Sequence, residues 1–149
     1  MKLGDVAAAL GKGLFAGAAG TAAMTLSSTI EMKLRRRPAS SAPADAASKV
    51  LGVEPKGEKE EARFATLVHW GYGTSWGAAG GLIGAAGFRG VRAEAAHFGA
   101  VWGTEQVVLP ALDVAPPFWE WGAKEVIIDA FHHLVYVSAT GIAYRLLDR

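Results

Sequence analysis

The chain has 149 residues, 51% of them hydrophobic, with Gly 19 and a formal net charge of +1. That length fits one domain, and the near-neutral charge excludes a broad nucleic-acid-binding face. Cysteine is absent, which excludes disulfides, thiolate metal sites and cysteine nucleophiles.

From the N-terminus, Met1 to Asp5 lacks a strong basic region, and the apolar stretch behind it shows no cleavage site. It reads as a retained helix and not as a cleaved signal peptide. Charges then fall in clusters, and the intervals between clusters define the expected elements. Gly13 to Ile30 holds no charged residue, and neither does Phe64 to Phe88. Ala95 to Leu112 holds Glu105 and His97, and Val126 to Tyr144 holds Asp129, His132 and His133. Each interval approaches the roughly 20 helical residues that cross a hydrocarbon core of about 30 Å. A helix in a small water-soluble protein normally keeps a charged face, and the first two intervals have none. The expectation is an all-α integral membrane bundle of four transmembrane helices, over residues 6–31, 64–88, 95–112 and 122–146. Residues 33–62 form a polar loop, within which Ala44 to Leu51 can make one short helix. Pro110, Pro116 and Pro117 close the third span, and Trp70, Trp119 and Trp121 suit an aromatic belt.

An internal repeat runs through these segments. His69–Trp70–Gly71–Tyr72 with Gly77 returns as His133–Leu134–Val135–Tyr136 with Gly141. Phe15 to Thr21 likewise parallels Phe98 to Thr104. The four helices are therefore expected as two duplicated helical hairpins related by an axis along the membrane normal.

Glycines recur at four-residue spacing: Gly13 with Gly17, Gly73 with Gly77 and Gly81, and Gly99 with Gly103. In lipid such spacing lets helix backbones approach closely, so these residues are expected to pack helices within the bundle or against a partner.

Glu125, Asp129, His132, Tyr136 and Thr140 fall on one stripe of the last helix, with His133 beside it. Glu105 and Gln106 lie midway along the third span, where an unpaired carboxylate is costly. Glu105 is expected to meet a polar partner from the second or fourth span. The preferred reading of Glu105, Gln106, Glu125, Asp129, His132 and Tyr136 is a hydrogen-bonded network that locks the bundle. A proton or ion relay ranks second. A haem or metal site ranks third, with His69 and His133 as a ligand pair from equivalent positions of the two halves, or Asp129 and His132 sharing a metal. No cofactor or resident metal is expected on the preferred reading. No GxSxG elbow, Walker loop or HExxH pattern occurs, so no catalytic residue is assigned and the chain does not read as an enzyme.

Four stretches carry a family resemblance: Ala16 to Thr21 with Met24, His69 to Gly77, Gly103 to Pro110, and His133 to Tyr136. Here the chain resembles the YagU-like family of small bacterial inner-membrane proteins. It departs at Val137, where that family's run is usually followed by glycine. The resemblance implies a multi-pass protein of the bacterial inner membrane, and it implies no catalytic residues. The functional expectation is a non-enzymatic structural or accessory module. Its partners would be the lipid bilayer and either a second copy of itself or a larger membrane complex. A small transporter or proton-conducting protein is the alternative, and a haem- or metal-binding membrane protein is third.

Overall fold

The computed structural model describes residues 2–149. Among these residues the chain forms five α-helices: α1 (Leu3–Arg35), α2 (Ala42–Leu51), α3 (Glu58–Ala85), α4 (Gly90–Ala111) and α5 (Ala123–Leu147). A single 3-10 turn, Phe118–Glu120, joins α4 to α5.

Local sequence explains the helix ends. The Lys2 amide donates to the Asp5 carboxylate at 3.0 Å, satisfying one of the free donors at the start of α1. Asp5 also suits the positive end of the helix dipole. At the other end Arg36 turns left-handed at φ 54°, and the Arg37 amide reaches back to the Met32 carbonyl at 3.1 Å. Pro38 follows and prevents continuation. Glu58, Glu60 and Glu61 crowd the first turn of α3, where the dipole favours them.

The long helix α1 is the hub, and both α3 and α5 pack along it. Its contact with α3 is made by glycine. A methyl group at Gly77 would collide with the Gly13 carbonyl oxygen and the Gly17 Cα. One at Gly81 would strike the Ala9 carbonyl, and one at Gly73 would strike the Thr21 side chain. On the face of α1 toward α5, a methyl at Gly20 would meet the Tyr136 carbonyl oxygen at 2.8 Å and the Thr140 hydroxyl. The packed centre holds Val101, Tyr136 and Val137, flanked by Met24, Trp76 and Phe98. Gly99 and Gly103 differ: a methyl group at either meets nothing within 4 Å. Helix α4 does not use that pair against its neighbours.

The four-span expectation is corrected. Among the described residues only α1 and α5 are long and apolar enough to cross a membrane. The expectation counted missing charge, and missing charge is not hydrophobicity. Helix α3 has a long uncharged run, but it is built from glycine and from His69, Trp70, Tyr72, Thr74 and Ser75. Such residues gain little on leaving water. Helix α4 carries Arg92, Glu94, His97, Glu105 and Gln106. Helices of this length also form bundles in water-soluble proteins, so the span count alone does not decide between the two environments.

The segment expected as a polar loop contains α2. Lys49 ties this helix to the α4–α5 connection, its ammonium donating to the carbonyls of Leu112 at 2.5 Å and Asp113 at 3.1 Å.

Candidate functional site

Polar side chains gather in the interior of the bundle. Thr21, His97, His132, His133 and Thr140 are all buried. The densest group lies where α4 meets the first half of α5. Asp129 and His133 are one turn apart on α5, so they share a face. Trp102 and Glu105 are three residues apart on α4 and face them.

Glu105 Oε2 lies 3.0 Å from His133 Nε2. On its other edge, His133 Nδ1 donates to the Asp129 backbone carbonyl at 2.9 Å. A carbonyl can only accept, so this contact puts a proton on Nδ1. The Trp102 indole N–H donates to Asp129 Oδ2 at 2.8 Å. The other oxygen, Oδ1, lies 3.6 Å from His133 Nδ1. Two carboxylates and an imidazole thus form one row, fixed from both sides.

A pocket of about 240 Å³ opens onto Glu105 and Asp129. Arg37, Trp121, Glu125 and His132 are among its other lining residues. Beyond it the ends of α1 and α5 are clamped by charge. Arg35 grips Glu125 with two hydrogen bonds, at 2.9 and 2.5 Å, and also binds Glu31 at 3.0 Å. Arg37 pairs with the same Glu31. The Ser27 hydroxyl is 2.7 Å from His132 Nδ1, and Glu31 stands 3.8 Å from His132 Nε2.

No protein-family model, curated protein or solved structure matches the chain. The reading of the site therefore rests on its own chemistry.

The residues singled out in the sequence divide into separate environments. Glu105 and Asp129 come together with His133. His132 and Glu125 join the charged clamp at the end of the bundle. Tyr136 lies elsewhere, its hydroxyl donating to the Gly73 carbonyl at 2.6 Å and its ring 5.7 Å from that of His97. The side-chain nitrogen and oxygen of Gln106 are buried and unpaired among the described residues. His69 and His133 do not share a site. His69 Nε2 is 2.7 Å from the Thr25 hydroxyl, whereas His133 faces Glu105. Because Thr25 already donates to the Thr21 carbonyl at 2.7 Å, the His69 ring is the donor between them.

Trp102, Ser27, Glu31, Arg35 and Thr25 were not singled out from sequence. Their signals were present. Ser27, Glu31 and Arg35 are each one turn apart along α1, as are Thr21 and Thr25, and Trp102 stands one turn before Glu105. Each is a polar face on an apolar helix.

Chemically, the Glu105–His133–Asp129 row can hold a proton or a small cation. The row holds no hydroxyl or thiol.

Proposed function

We propose that the protein is a membrane-embedded helical module held in the bilayer by α1 and α5, with a structural or accessory role and no enzymatic activity. One observation carries this reading: α1 and α5 present large apolar side chains outward while polar side chains are among those buried. Phe15 and Leu26 on α1 are 77% and 64% exposed and Ile127 on α5 is 67% exposed, while five polar side chains are buried. In water this arrangement would leave a large apolar surface unsatisfied. In lipid it is the expected one, because hydrocarbon solvates the aliphatic surface and polar groups must pair with one another.

The charge pattern supports the same reading. Lys12 pairs with Asp148 at one end of the bundle, and Glu31 pairs with Arg35 and Arg37 at the other. Along α1 these two levels are about 28 Å apart at 1.5 Å per residue. That matches a hydrocarbon core of about 30 Å. The resemblance to YagU-like proteins favours a bacterial inner membrane. The unused glycine pair Gly99 and Gly103 favours assembly with a second copy or a larger complex through α4.

The test is extraction followed by native mass spectrometry. After an alkaline carbonate wash the protein should stay in the membrane pellet and be released by detergent. The released species should carry a fixed number of copies or a fixed partner. Recovery in the soluble fraction would overturn the membrane reading, and a bare monomer would overturn the assembly reading. A second reading, conduction of protons or ions, is favoured by the buried Glu105–His133–Asp129 row. Flux into liposomes that is lost in Glu105→Gln would support it over a purely structural role.

A further inference from the structure

The row on α4 and α5 has a feature that packing alone does not require. The Nδ1 hydrogen of His133 is committed to the Asp129 carbonyl, at 2.9 Å. In the neutral ring the Nε2 atom then carries a lone pair. That lone pair stands 3.0 Å from Glu105 Oε2, which is buried and receives no aligned hydrogen bond among the described residues. In that neutral form two electron-pair donors stand side by side with no donor hydrogen between them. A third, Asp129 Oδ1, is left free because Trp102 engages Oδ2.

This is the arrangement of ligands around a cation. Bonds of about 2.1 Å at a right angle put neighbouring ligand atoms about 3 Å apart. One atom each from Glu105, Asp129 and His133 lies within 4.8 Å of the others. The outer contacts also fit. A metal-bound histidine ordinarily donates its other N–H to a carbonyl or carboxylate, and a bound carboxylate is ordinarily held by a further donor. His133 and Asp129 each have such a contact. The adjoining pocket of about 240 Å³ gives access to Glu105 and Asp129 and room for water on the remaining coordination positions.

We infer that Glu105, Asp129 and His133 bind one divalent first-row transition-metal ion. One imidazole with two carboxylates selects ions such as Zn²⁺, Mn²⁺ or Fe²⁺ over Mg²⁺ and Ca²⁺, which take oxygen ligands. The site lies about 9 Å along α5 from its first residue, at 1.5 Å per residue, and so is reached from the end of the bundle where Arg37 and Trp121 line the pocket. It does not depend on insertion into a bilayer, so the two proposals fail separately.

The test uses the full chain, stripped with chelator and titrated with Co²⁺, whose visible absorption reports its ligand field. One Co²⁺ should bind per chain. Asp129→Asn and His133→Ala should each abolish saturable binding. Glu125→Gln, at the pocket mouth, should leave it unchanged. Trp102→Phe keeps all three ligands and removes only the hydrogen bond that orients Asp129, so it should weaken affinity by roughly 10–100-fold. If the ligand variants do not fold, as judged by circular dichroism, Trp102→Phe decides. Absence of stoichiometric Co²⁺ binding would overturn the site in favour of a proton shared between His133 and Glu105. Unchanged binding in Trp102→Phe or in a folded ligand variant would also overturn it.

Discussion

The hydroxyl of Tyr136 on α5 reaches the backbone carbonyl of Gly73 on α3, at 2.6 Å. The bond crosses the buried centre of the bundle, where Tyr136 is only 2% exposed. Phenylalanine fills the same space without the hydroxyl. Tyr136→Phe should therefore lower stability by about 0.5–1.5 kcal/mol, the net worth of one such bond, with no change of fold. Thermal unfolding beside unaltered helical circular dichroism would check this. No shift in midpoint would mean that the bond contributes nothing.

The glycines of α3 and α4 should respond in opposite directions. Gly77→Leu would drive a side chain into the Gly13 carbonyl and the Gly17 Cα, so α1 and α3 must separate. Such overpacking costs about 1–3 kcal/mol or more, and the variant should unfold early or lose its assembly state. Gly103→Ala meets nothing within the chain. It should raise helix stability by about 0.5–1 kcal/mol from propensity alone. A loss of oligomer in Gly103→Ala, with the monomer intact, would show that a partner occupies this face.

Thr25→Val should cost more than its small change in shape suggests. The substitution removes the acceptor for the His69 ring and leaves a half-buried N–H without a partner. An unpaired group of this kind costs about 1–3 kcal/mol. The double variant Thr25→Val with His69→Phe should recover part of that loss. Additive losses in the double-variant cycle would show that the two residues are not coupled.

Acid should loosen one end of the bundle. Lys12 at 3.0 Å, and then Arg89 at 3.5 Å, hold the Asp148 carboxyl below its usual range. The unfolded chain thus takes up this proton at a higher pH than the folded chain does. The contact stabilises the fold above the ordinary aspartate range, and that contribution is lost as pH falls through the lowered value. Asp148→Asn should flatten the fall in stability below about pH 5. Added salt should weaken the wild-type effect, because the pair is partly exposed. An identical acid profile in the variant would rule out this contribution.

Parts of this molecule can be read from local pattern, and parts cannot. Four-residue glycine spacing marks surfaces where backbones are able to approach. It does not say whether a helix arrives there: Gly77 is filled by α1, while Gly103, with the same spacing, is open. Counting uncharged stretches found the helical segments, but it misjudged α3 as a span because glycine, histidine and tyrosine are uncharged without being apolar, and α4 because Arg92, Glu94, His97, Glu105 and Gln106 lie along it. The stripe on α5 is visible as a period, yet neighbouring side chains on it have different fates. His132 turns to Ser27 on α1, and His133 turns to Glu105 on α4. A rotation of about 100° between successive residues separates two partners that a linear sequence presents together. The repeated His–Tyr motif shows the same limit. In each half the histidine meets a polar side chain of the preceding long helix, but Tyr136 is buried and its counterpart Tyr72 is half exposed.

The central position of α1 bears on the order in which the chain assembles. Helix α1 leaves the ribosome before α3 and α5, which both later pack against it. Helix α3 can dock through its glycines while the remainder is still being made. The Lys12–Asp148 contact joins α1 to the residue just after α5 and can close only once α5 has been made. A nascent chain ending after α3 should already hold the α1–α3 pair. A chain lacking α1 loses the surface that both α3 and α5 pack along.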